Sequence, residues 1–419
     1  MRRVFHFVFL PVLIGFLFLK IIFGQIELEP ERVHYFLLGA EERRFFLNLK
    51  EGDYAEIKVS QNDENGHEND EENGPTCVVY DPSGKDIRQQ LILVFPEEWI
   101  GTDCQDFYFV APETGKYIFT IKADSKSFSV NKERKFSLKY SKRLKLSANS
   151  EEKFRRIGDY TAKIVRSEED FVESIFLLEK NGKLKAVSKG FLLYFGDDAY
   201  GGKKHANLIR KTVDKTGDGV PDIMLVHYSG GAHCCFDAAF IELGEEPRLR
   251  EYIYTADARI IAIGKNPRGG LRFATRDYSF AYWYTSFASS PFPEVVLEFV
   301  DGKLRPNIDL MKKTKPQEAI LKKKAAKARN NLLRAIRINK PRSCGDIFAL
   351  LDGEGVVFWG EVLDLLYSGN DQAAWKYFDL VWQGLRQECK EQFKKKFNEQ
   401  LLSSRFWNMI LEERKKAKQ

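Results

Sequence analysis

What this 419-residue chain most plainly lacks is charge of one sign: 66 Lys and Arg stand against 60 Asp and Glu, leaving a formal +6. A nucleic-acid footprint is a basic excess gathered on one face, and a balance this small implies none. Histidine is scarce, at six residues, and neither CxxC nor HxxxH spacing occurs, so the common zinc arrangements are missing. No family hydrolase signature surrounds the cysteines. Apolar material is not lacking: 43% hydrophobic and 13% aromatic residues exclude global disorder. At roughly 100 to 200 residues per domain, the length excludes a scaffold held by disulfides alone and leaves room for several cores.

A long hydrophobic run stands at the start of the chain. Arg2 and Arg3 precede Val4 to Leu19, then Lys20 and Ile21 to Gly24, after which polar sequence begins at Gln25. Basic residues before an apolar stretch broken only by His6, Pro11 and Gly15 read as an export signal over residues 1–24, which carries the rest across the inner membrane to the periplasm, the surface or the medium. Gly24 suits the residue before a cut and Ile22 does not, while Val4 to Phe23 is long enough to anchor the chain in the inner membrane if uncleaved. Both outcomes stand, and membrane contact is expected only through this segment. An even cysteine count behind such a segment favours disulfides. The six cysteines fall as three local pairs, so bridges are expected for Cys77 with Cys104 and for Cys344 with Cys389, leaving the adjacent Cys234 and Cys235.

The patterning divides the chain into unlike regions, predicting a multi-domain, mainly β protein. Over residues 25–150, short alternating segments such as RRFFLNL, YAEIKVS and KYIFTIKA are punctuated by the turn sequences DPSGK and PETGK, which predicts a β-sandwich. The acidic insert Gln61 to Asn73 has no apolar residue and reads as a solvated loop. Over 151–312 the segments are again strand-like, with NGK at 181–183 and DGK at 301–303 as hairpin signals, predicting a second β domain, propeller-like or sandwich. Over 313–419 the period changes to three and four, as in Trp375, Phe378, Val381, Trp382 and Leu385, predicting a small α-helical domain.

The order FFLNLKEGDYAEIKVS, VVYDPSGK, FVAPETGKYIFTIKA resembles the bacterial pre-peptidase C-terminal (PPC-like) domain. That resemblance implies a small jelly-roll sandwich appended to an exported protein, with attachment, chaperoning or surface binding as its role and no catalytic residues.

The sharpest chemical signal is Asp214-Lys-Thr-Gly-Asp-Gly-Val-Pro-Asp222. Oxygen-bearing side chains fall at the first, third, fifth and ninth positions (Asp214, Thr216, Asp218, Asp222), with Gly219 sixth and the Val220 carbonyl seventh, the order of a calcium loop. Hard oxygens on alternate residues of a tight loop suit a hard cation, and Gly219 permits the turn that aims the carbonyl. Leu225 stands where an EF-hand has its bidentate Glu, and a strand follows instead of a helix. The other reading is an Asp and Gly turn holding no metal. The nine residues resemble the loop of FG-GAP and VCBS-type repeats, which implies structural Ca2+ on Asp214, Thr216, Asp218, Val220 and Asp222. Thr216 departs from the usual Asp or Asn there. With the downstream SFAYWYTSFASSPFPEVVLEF, the stretch also resembles a group of uncharacterised exported bacterial proteins carrying a Tyr-Ser-Gly-Gly-Ala-His-Cys-Cys segment.

That segment, Tyr228 to Cys235, has three readings. His227, His233, Cys234, Cys235 and Asp237 offer nitrogen and thiolate donors for a transition metal. Alternatively Cys234 or Cys235 is a nucleophile with His233 or His227 as base and the Gly230 and Gly231 amides as oxyanion hole, making a Cys-His hydrolase. In the third the thiols are structural and the glycines make a turn. Finally, Tyr278, Phe280, Tyr282 and Tyr284 would share one face of an extended strand, with Trp283 opposite, either as a glycan-stacking ladder or as core. The expectation that unites these observations is a non-enzymatic exported protein with a structural calcium site, binding an envelope or surface protein or glycan. A Cys-His hydrolase and a glycan-binding module are the alternatives.

Overall fold

A computed structural model describes residues 26–38, 42–61, 75–87, 104, 107–122, 134–142, 150–167, 174–199, 202–231, 234–352 and 358–417. The expected signal segment 1–24 and most of the acidic insert lie outside them. No helix among the described residues is long and apolar enough to cross a membrane. The chain is mainly β with a helical C-terminal region, as the sequence patterning predicts. Among the described residues the strands form five four-stranded sheets.

The first sheet runs β1 (Ile26–Glu27), β3 (Arg43–Leu49), β7 (Gly115–Lys122), β5 (Thr76–Tyr80) in spatial order, and the second β2 (Val33–Leu38), β8 (Arg134–Ser141), β4 (Tyr54–Gln61), β6 (Phe107–Val110). Side chains alternate across a strand, so Phe45 and Leu47 on β3, Tyr117, Phe119 and Ile121 on β7, and Ala55, Ile57 and Val59 on β4 are all inward and buried. The two inner faces share one core and form the expected sandwich. The Cys77–Cys104 disulfide, with Cα atoms 5.2 Å apart, ties β5 to the segment before β6.

The middle region is three successive antiparallel meanders. They are β9 (Ser150–Ile157) to β12 (Lys183–Gly190) through β10 (Tyr160–Ser167) and β11 (Ser174–Lys180); β13 (Leu192–Phe195) to β16 (Pro247–Ala256) through β14 (Asp222–Gly231) and β15 (Cys234–Leu243); and β17 (Ile261–Lys265) to β20 (Lys303–Pro306) through β18 (Leu271–Arg276) and β19 (Glu294–Val300). The expected hairpin turns are there: Asn181 and Gly182, and Asp301 and Gly302, all have positive φ, the backbone a two-residue hairpin turn requires.

The fourth sheet lies between its neighbours. Ile223, Leu225, Ala239 and Ile241 pack with Ala162, Ile164, Phe176 and Leu178 of the third. The alternate residues Met224, Val226, Ala238 and Phe240 pack with Phe273, Val295, Leu297 and Phe299 of the fifth. Burial on both faces is why IMLV and AAFI read as unbroken apolar runs. The remaining face of the third sheet (Val165, Ile175, Leu177, Val187) meets Tyr54 and Val110 on the outer face of the sandwich, where Lys189 donates to Glu56 Oε1 at 3.0 Å.

Helix α1 (Lys203–Lys211) interrupts the fourth sheet. After the fifth come α2 (Ile308–Met311), α3 (Glu318–Asn339), α4 (Cys344–Ala349), α5 (Trp359–Tyr367), α6 (Asp371–Val381), α7 (Gln387–Ser403) and α8 (Arg405–Lys416). Ser343 forms a capping box with Asp346 at the start of α4. The Cys344–Cys389 disulfide then joins α4 to α7.

Candidate functional site

The Asp214 to Asp222 loop connects α1 to β14 and is seated on the β17–β18 turn. Leu271 N donates to Lys215 O at 2.8 Å, and a Cβ on Gly270 would stand 2.7 Å from Thr216 O, so backbone meets backbone there. Gly217 and Gly219 have φ of 82° and 94°, which glycine adopts without steric cost. Asp214 accepts from Gly217 N at 2.5 Å, Gly219 N at 2.7 Å and Thr216 Oγ1 at 3.3 Å. Asp218 accepts from Val220 N at 3.0 Å through Oδ1, and its Oδ2 lies 3.4 Å from the Arg250 guanidinium. Asp222, fully buried, accepts from Lys215 N at 2.7 Å and Thr216 N at 2.9 Å through Oδ2. Its Oδ1 is buried without a hydrogen-bond partner among the described residues.

The Lys215 ammonium is buried beside it, donating to the Asp222 carbonyl at 2.5 Å. Burial lowers the lysine pKa against the pull of Asp222, Asp197 and Asp214. Burial likewise raises that of Asp222, opposed by its two backbone donors and by Lys215. The loop thus assembles the donors expected of it, but not around one point. Among the described residues, the only His, Cys, Asp and Glu group of three with ligand atoms within 4.8 Å of one another is Cys344, Glu388 and Cys389, whose cysteines are already bridged.

The second expected site is partly dissolved by the fold. His227 on β14 and Asp237 on β15 are directly paired across the strands, with Nδ1 3.1 Å from Oδ2. Tyr252 donates to Asp237 Oδ1 at 2.6 Å. All three sit toward the third sheet, and burial followed by Asp237 holds the Tyr252 phenol far above its ordinary pKa. Cys235 is disulfide-bonded, so it offers neither a thiolate nucleophile nor a metal ligand. Its Sγ lies 2.9 Å from Tyr254 Oη, and its N–H donates to Ser229 Oγ at 2.8 Å. His233 and the Cys234 side chain lie outside the described residues. Gly230, with φ of 85°, lies at an irregularity in the β14–β15 pairing and is pressed against Phe191, whose ring a Cβ would meet at 2.4 Å.

The aromatic ladder does not form. Residues 279–284 are turns, and Tyr282 and Tyr284 have positive φ, so no strand sets the four rings on one face. Phe280 is buried and packs on Phe397; Trp283 lies against Trp359 and Phe393; Tyr278 stacks on Phe292 at 3.9 Å; Tyr282 is exposed. The apolar rings reach the helical core, which propensity over this stretch does not report.

Sequence reading did not single out Asp277. Its Oδ1 accepts from Ser279 N at 2.8 Å, while Oδ2 accepts from the hydroxyls of Tyr367 and Ser404. It fastens the fifth sheet to α5 and α8. Its partners lie 90 and 127 residues away, so no local pattern could announce it.

No family model matches this chain, and no curated protein does. Among solved structures it is similar to the pre-peptidase C-terminal domain of a collagenase from Bacillus anthracis, at 14% identity over 28% of this chain and 95% of that domain, TM-score 0.19. It is also similar to Aeromonas hydrophila PliG, a periplasmic lysozyme inhibitor of g-type lysozyme, at 16% identity over 28% of this chain and 94% of that one, TM-score 0.20. Likenesses at these scores carry nothing about function. The FG-GAP/VCBS resemblance and that of the Tyr228 to Cys235 segment have no counterpart among these matches.

Proposed function

We propose that this is an exported, non-enzymatic protein of the cell envelope or surface that binds an envelope or surface protein or glycan, its stacked sheets forming a rigid body between the sandwich and the helical region. The observation that carries the reading is that no described cysteine is a free thiol. Disulfides persist in oxidising compartments, and Cys235, being oxidised, does not supply the thiolate a Cys-His hydrolase needs.

Within this reading the Asp214 loop takes calcium as a structural ion. The donor set fits a hard cation in kind, and Asp222 Oδ1 is a buried carboxylate oxygen with no hydrogen-bond partner among the described residues. Asp214, Thr216, Asp218 and Asp222 would supply side-chain oxygens and Val220 its carbonyl, with Asp218 drawn away from Arg250.

The test is alkylation of the protein recovered from the envelope fraction, unfolded without reductant, followed by peptide mapping. No labelled cysteine is expected before reduction and six after it, matching the six in the chain. Label at Cys234 or Cys235 in the native protein would overturn the reading in favour of the hydrolase.

A further inference from the structure

The helical region carries a groove of about 820 Å³ between α6 and the start of α7, within the size range of small-molecule sites. Its walls mix three chemistries. Trp375, Leu380 and Leu385 supply apolar surface, Gln372, Gln383 and Gln387 supply side-chain amides, and Lys376, Asp379 and Lys390 supply charge.

The charge is already neutralised. Lys390 pairs with Asp379 at 2.8 Å and Lys376 with Glu318 of α3 at 2.9 Å. An anion would compete with these pairs, and a purely apolar ligand would cover amides that are only partly engaged, Gln387 Nε2 donating to Glu391 Oε1 at 2.8 Å and Gln383 Oε1 accepting from Arg329 at 3.3 Å. Each glutamine amide both donates and accepts, which suits hydroxyl groups. Trp375 is half-buried and held edge-on by Phe378 and Phe397, with Lys394 over one ring face at 4.9 Å. Trp382 also lines the groove; it is buried, and its Nε1 has no hydrogen-bond partner among the described residues.

An aromatic surface with neutral amide donors and acceptors beside it calls for a ligand with a C–H face and a rim of hydroxyls. We infer that the α6–α7 groove is a binding site for a neutral oligosaccharide. This rests on the reading of the chain as a binding protein and supplies the chemistry of its ligand. The site is distinct from the Tyr278 to Tyr284 segment, whose rings are largely committed to the core.

The test is calorimetric titration of the full chain with triacetylchitotriose and with cellotriose, and with inorganic phosphate as the anionic control. At least one sugar is expected to bind with a dissociation constant of about 1 mM or tighter, and phosphate not at all. Gln387→Ala, on the exposed rim, and Trp375→Ala are each expected to weaken sugar binding about tenfold or more. Gln387 keeps the test open if the tryptophan variant fails to fold. Absence of heat with both sugars, phosphate binding in their place, or unchanged affinity in both variants would overturn the inference. Those outcomes leave the described thiols oxidised and the parent reading intact, whereas a free Cys234 or Cys235 removes the parent reading whatever the sugars do.

Discussion

Two buried aspartates, one at the start of β14 in the fourth sheet and one directly after β18 in the fifth, show what full and partial satisfaction of a carboxylate mean. Asp277 is 3% exposed and both its oxygens are occupied: one by an amide, the other by two hydroxyls from the helical region. Asp222 is 0% exposed and one of its oxygens accepts two amides while the other has no partner among the described residues. A buried polar atom left unpaired costs more than a typical hydrogen bond gains, so a saturated carboxylate works as a joint and an unsaturated one leaves a coordination position open. Asp277 belongs to packing. Asp222 belongs to packing and, on the proposal above, to a ligand.

Removing the joint should have the largest effect. Asp277→Ala strands the Tyr367 and Ser404 hydroxyls and the Ser279 amide together, and stability to urea should fall by about 3 kcal/mol or more, with Tyr367→Phe costing about half as much. A loss below 1 kcal/mol for the alanine variant would mean that water replaces the carboxylate and that the two aspartates do not differ as described.

Next in size is Asp222→Asn. The amide oxygen still accepts from Lys215 N and Thr216 N, but the charge beside the buried Lys215 ammonium is lost, for about 1 to 3 kcal/mol. Calcium separates the roles. At a hundredfold excess over its dissociation constant a single ion adds about 2.7 kcal/mol to the wild-type protein and should add nothing to the variant. If chelator leaves the wild-type melt unchanged and elemental analysis finds no bound metal, Asp222 is as purely structural as Asp277 and the calcium proposal falls.

Legibility followed the range of the interactions. The strands of the sandwich and of the three meanders were readable because Phe45, Leu47, Ala55, Ile57 and Val59 alternate locally, and the turns at Asn181 and Asp301 carry their glycines beside them. The Cys77–Cys104 and Cys344–Cys389 bridges were readable because each partner is its neighbour's nearest cysteine. The stacking of the fourth sheet between two others was not, since an unbroken apolar run says only that both faces are buried. Nor was the fate of Tyr278 to Tyr284, where an alternating pattern gives way to turns because Phe280 and Trp283 find partners on α5 and α7. In the loop, the spacing drew attention to the oxygens of Asp214, Thr216, Asp218 and Asp222. It left out Arg250, 32 positions beyond Asp218 in sequence and 3.4 Å from it in space.

Arg250 sets the finest test of the difference between the two aspartates. Its guanidinium holds Asp218 and lies 3.6 Å from Glu242, a carboxylate that Arg248 also holds at 2.7 Å. Arg250→Gln removes the partly exposed contact with Asp218 and the longer one with Glu242 but leaves Glu242 paired with Arg248, so stability in chelator should change by about 1 kcal/mol or less. The same change removes the cation that competes for Asp218, so the calcium-induced rise in melting temperature should grow, with no corresponding gain in Asp222→Asn, Arg250→Gln. A smaller rise in the single variant would show that Asp218 serves Arg250 alone, and Asp222 Oδ1 would then need a partner other than calcium.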